Sequence, residues 1–86
     1  MLLLLLLSAV GCASHVGPKQ HELASALGLA VETITAPRCY AIPEEPTEFG
    51  CSYRQQGTGD NWNRQEVMVA IDGPAWVIIH GPGPPQ

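Results

Sequence analysis

The chain has 86 residues, a formal net charge of −4, and only four Lys and Arg against eight Asp and Glu. That length suffices for one small domain with one small core. The basic residues Lys19, Arg38, Arg54 and Arg64 are scattered along the sequence, so no basic run offers a surface for nucleic acid or anionic headgroups.

The opening stretch, "MLLLLLLSAVGCA", is apolar or small apart from Ser8. As a helix it reaches roughly 20 Å, too short for a hydrocarbon core about 30 Å thick. It has no amphipathic stripe, which argues against a docked core helix. Its dimensions suit the apolar region of an export signal, about 7–15 residues followed by small ones. The residues Ala9-Val10-Gly11-Cys12 resemble the lipobox of bacterial lipoprotein precursors, with Ala9 standing where Leu is usual. The resemblance is confined to this stretch. It implies a signal peptide over residues 1–11, lipid on Cys12, a tether over 12–17, and export. The protein would then be held in the cell or outer membrane, facing the periplasm or the surface. The small residues Ala9 and Gly11 also satisfy ordinary secretory cleavage, which gives a soluble product. An uncut anchor is the third reading.

The cysteines are Cys12, Cys39 and Cys51. If Cys12 carries lipid, Cys39 and Cys51 can close a disulfide in an oxidising compartment; the other reading leaves them as buried thiols. A loop of about a dozen residues closed this way contributes roughly 3 kcal/mol, a large share of a small domain's stability.

Along the mature chain, Pro18 suits the first helical position and Gly28 the residue just past a helix end. A helix over 18–27 would show Leu23, Ala26, Leu27 and Ala30 on one face. It is too short to persist undocked. "LAVETIT" (29–35) is β-branched and alternating, which predicts a strand, and Pro37 ends it or sets it at an edge. Pro43 and Pro46 flank glutamates in a stiff, solvated turn region. A strand over 48–55 puts Phe49, Cys51 and Tyr53 on one face, and the glycines of 56–61 make a turn. In the next strand, over 62–72, Val67, Val69 and Ile71 point one way. Asp72-Gly73 signals a hairpin, which Pro74 is expected to lengthen. "AWVIIH" (75–80) is apolar on both faces and predicts a central or covered strand. The Pro- and Gly-rich residues 82–86 predict a frayed tail. These elements make an α+β domain over 18–81, one short N-terminal helix packed on a mainly antiparallel sheet of about four strands. Leu23, Val67, Val69, Ile71 and Ile78 are its expected core.

Chemical signals are sparse. His15, His21 and His80 do not share the spacing of a metal site, which needs three or four converging ligands, so neither metal nor cofactor is expected. Ser14, Ser25 and Ser52 occupy no strand-turn-helix elbow. Glu44, Glu45 and Glu48 fall in an expected wet turn, which offers acid/base work no buried carboxyl. No catalytic set can be named, and an enzyme is not expected. The aromatics Tyr40, Phe49, Tyr53, Trp62 and Trp76 serve packing first. Tyr53, Arg54 and Trp62 flank one turn and carry the residue types of interface hot spots, which makes them the candidate binding surface. The expected function is that of a membrane-anchored envelope lipoprotein with a binding or structural role, with an envelope protein as partner. The alternative is a periplasmic or secreted inhibitor of a hydrolase, its rigid inserted loop being residues 40–50.

Overall fold

A computed structural model describes residues 15–85 of the chain. Among these, one short helix, α1 (Gln20–Leu27), precedes four strands, β1 (Arg38–Ile42), β2 (Glu45–Gln56), β3 (Trp62–Asp72) and β4 (Ala75–Gly83). The strands form one antiparallel sheet in the order β1-β2-β3-β4. Each strand therefore pairs with its sequence neighbour through a short connection.

Helix α1 begins two residues later than the Pro18 signal implied. Lys19 is the N-cap, and its backbone N–H donates to the Glu22 carboxylate at 2.8 Å. Pro18 lies outside the helix and is fully buried. At the other end Gly28 takes φ 74, and Leu29 N–H reaches back to the Ala24 carbonyl. A left-handed residue closing the last turn is where glycine carries no Cβ penalty. Leu23 and Ala24 are buried, Ala26 and Leu27 half-buried, and Ala30 lies beyond the helix and exposed.

Residues 29–35 do not form the expected strand. Val31–Thr33 make a single 3₁₀ turn instead. The Gln20 amide holds it there, donating to the carbonyls of Val31 at 3.2 Å and Ile34 at 2.8 Å. Pairing starts only at Ile34, which bridges Gln55, and β1 then continues along the same edge of β2. Pro37, without an N–H to give, sits in the break between the two.

Strand β1 forms where no strand was expected, and β2 begins at Glu45, inside the segment expected to be turn. The turn proper is Pro43 and Glu44, because Ile42 already pairs with Glu45. Glu44 takes φ 72, as the position after a type II proline requires. The β3–β4 turn is also tight. Asp72 pairs with Ala75 across Gly73 (φ 64) and Pro74, a positive-then-negative φ sequence that suits a two-residue hairpin and needs no longer loop.

Strand β4 departs from expectation twice. It is an edge strand rather than a central one, with Ile79 exposed. It also runs through Gly81-Pro82-Gly83, with Gly83 paired to Glu66. An edge strand can hold a proline because one side of its ladder makes no hydrogen bonds. The tail thus begins after Gly83.

Leu23, Ala24, Ile34, Cys51, Tyr53, Val67 and Val69 form one buried cluster, flanked by Phe49, Trp76 and Ile78. Phe49 and Trp76 meet edge to face, with ring centroids 5.5 Å apart. Ile71 was expected in this core but is 42% exposed. A helix of eight residues is about 12 Å long, and β3 with eleven residues runs about 36 Å. The hairpin end that carries Ile71 outruns its cover.

Candidate functional site

Tyr53, Arg54 and Trp62 do not form one surface. Tyr53 and Arg54 are consecutive in a strand, so they point to opposite faces. Tyr53 is 3% exposed on the inner face, and its hydroxyl has no hydrogen-bond partner among the described residues. Burial raises its pKa above the ordinary 10.0. Arg54 points outward and is exposed. Trp62 pairs with Gln56 while Arg54 pairs with Arg64, which sets Trp62 on the outer face, diagonal to Arg54. It is 41% exposed.

The outer face adds two residues that sequence reasoning did not include. Arg64 lies directly across from Arg54, and Arg38 directly across from Ser52 on the other side of β2. Arg38, Arg54, Arg64 and Ser52 line one concavity of about 450 Å³, walled by Thr35 and Ala36. Two bonds fix that wall: Thr35 N–H donates to the Arg54 carbonyl, and Arg54 N–H to Thr35 Oγ1, both at 2.9 Å. Three of the four basic residues therefore meet at one site. Among the described residues no Asp or Glu side chain comes within 4.0 Å of their nitrogens. Like charges directly opposed across a sheet are destabilising. The nearest carboxylate in register is Glu66, opposite Ser52. It lines the neighbouring groove, not this one.

That neighbouring groove, about 650 Å³, is also on the outer face, where Tyr40, Met68, His80 and Pro82 enclose it. The Tyr40 ring lies over Gly50, so close that a Cβ there would collide with it. An aromatic covering a strand glycine keeps that stretch of backbone from water.

Cys39 and Cys51 are bonded and directly opposed in register. Their Cα atoms stand 4.1 Å apart, closer than the usual 4.4–6.8 Å range and nearest the spacing of about 4.5 Å in a non-hydrogen-bonded antiparallel pair. Gly17, the end of the expected tether, packs on this bridge: a Cβ there would lie 2.7 Å from that of Cys39. His15 Nε2 lies 2.9 Å from the Pro18 carbonyl oxygen. The proposed lipid site Cys12 and the signal residues 1–11 lie outside the described residues. Residues 40–50, expected as an inserted loop, are a hairpin held across its base by the disulfide, and Glu44 and Glu45 are exposed at its tip.

Among the described residues no three His, Cys, Asp or Glu side chains are placed to hold a metal, and no helix is long and apolar enough to cross a membrane. The chain matches no family model, no curated protein and no solved structure among those compared with it.

Proposed function

We propose that the protein is a small exported lipoprotein, anchored through lipid on Cys12, whose folded domain binds a partner molecule on the outer face of its sheet and performs no catalysis. The observation that carries this is the pairing of Cys39 with Cys51. It accounts for two of three cysteines and leaves Cys12, behind Ala9-Val10-Gly11, as the odd one. An exported chain normally has a use for its odd cysteine, and the lipobox resemblance supplies it. A structural disulfide also suits an oxidising compartment. The binding role draws on the exposed arginines of the outer face, which no carboxylate among the described residues pairs with.

Metabolic labelling with a palmitate analogue, followed by mass analysis of the mature N-terminus, tests the anchor. Lipid on Cys12, with loss of membrane retention in Cys12→Ser, is the expected result. A lipid-free product starting at Ser14 or later leaves ordinary secretion in its place. The bridged hairpin and its exposed tip favour a second reading, inhibition of an envelope hydrolase. Inhibition by the oxidised protein that disappears on reduction would establish it.

A further inference from the structure

The concavity on the outer face is lined by three guanidinium groups, which can only donate, and by hydroxyls. Arg38, Arg54 and Arg64 each bring a guanidinium, and Ser52 brings a hydroxyl that makes no hydrogen bond among the described residues. Thr35 Oγ1 already accepts from Arg54 N–H, which leaves its own proton to donate outward. A site of this composition repels cations and is matched by an anion with several acceptor oxygens. Three fixed positive charges exceed what one carboxylate neutralises. A phosphate monoester carries about −1.5 to −2 at neutral pH and three acceptor oxygens, and arginine forks match its geometry. The cross-strand pairing of Arg54 with Arg64 opposes folding when the site is empty and favours it once an anion lies between them.

We propose that Arg38, Arg54, Arg64 and Ser52 form a binding site for a phosphate oxyanion. The inference rests on the reading of this face as the binding face and names what it binds. It does not depend on lipid at Cys12. The phosphate comes from solution or from a lipid headgroup, and both sources present the same chemistry to the arginines. Glu66 marks the boundary of the site and repels the ligand from that side.

The test uses the full chain carrying Cys12→Ser, so that an anchor cannot mimic binding. Sodium phosphate is titrated against sodium chloride at equal ionic strength while the Nε–Hε signals of the arginines are followed by NMR. Phosphate should shift Arg38, Arg54 and Arg64 together and saturably, and chloride should not. Arg64→Gln and, on a different strand, Arg38→Gln should each weaken binding about tenfold, and Glu66→Gln should tighten it. Sedimentation with phosphatidic acid vesicles, compared with phosphatidylcholine, assigns the source. Arginine-dependent sedimentation identifies a headgroup, and its absence beside saturable phosphate binding identifies free phosphate. Equal responses to phosphate and chloride, or unchanged affinity in both arginine variants, would overturn the proposal. Palmitate labelling is a separate readout, so loss of the anchor reading leaves this result standing.

Discussion

On the inner face of the sheet Cys51, Tyr53, Val67 and Val69 are at most 3% exposed, while one residue along, on the outer face, Arg54, Arg64 and Glu66 are exposed. Strands β2 and β3 supply both faces through the same ladder, so backbone pairing does not distinguish them. The inner face is closed by α1 and Ile34, and its side chains lower their free energy by leaving water. The outer face has no covering element among the described residues. It sets two arginines opposite each other at an electrostatic cost. One face is arranged to hold the fold together. The other carries a like-charge penalty that a counter-anion would relieve.

The largest effect should come from breaking the closed face. Leu23→Ala removes a side chain that is fully buried between helix and sheet, and urea unfolding should show a loss of about 2–5 kcal/mol. A change under 1 kcal/mol would mean that α1 contributes little to the core. Replacing both Cys39 and Cys51 with Ala opens a bridge between residues twelve apart. The expected loss is about 3 kcal/mol, matched by the wild type under reducing conditions.

Tyr53→Phe sharpens the comparison from within the core. It deletes a buried hydroxyl that has no partner among the described residues, so stability should rise by about 1 kcal/mol. The same variant carries a pH signature. Burial raises the Tyr53 pKa above 10.0, so above that pH the unfolded chain releases the phenol proton before the folded one does. Wild-type stability should therefore fall as pH rises from 10.0 toward the folded value, and Tyr53→Phe should fall less. Parallel curves would show that the hydroxyl is hydrated.

The smallest effect is expected on the open face and has the opposite sign to a core mutation. Arg64→Thr removes the like charge facing Arg54 and keeps strand propensity, so it should stabilise by a few tenths of a kcal/mol. The gain should shrink with added salt. A loss of stability would mean that the two guanidinium groups already share a counter-charge.

The turn after Gln56, the β3 strand and the glycine after α1 were legible in the sequence, because glycine spacing and period-two alternation are local properties of the chain. Alternation likewise marked Val67 and Val69 as inward and put Tyr53 and Arg54 on opposite faces, although their shared turn had suggested a single surface. The expected turn over 56–61 would have set Trp62 opposite Gln55, one residue away from the observed Gln56–Trp62 pairing, so the meeting of Arg54 with Arg64 could not be counted from it. Strand β1, the 3₁₀ turn at Val31–Thr33 and the exposure of Ile71 were not legible. Residues 29–35 favour an extended chain by propensity, but Gln20, eleven residues away from Val31, holds them in a turn. The apolar β4 became an edge strand because four strands joined by short turns leave the last one without a further neighbour. Composition, periodicity and turn chemistry thus determined most of the elements. Tertiary structure alone decided that scattered arginines become one site, because a register belongs to two strands and a covered face to the element that lies on it.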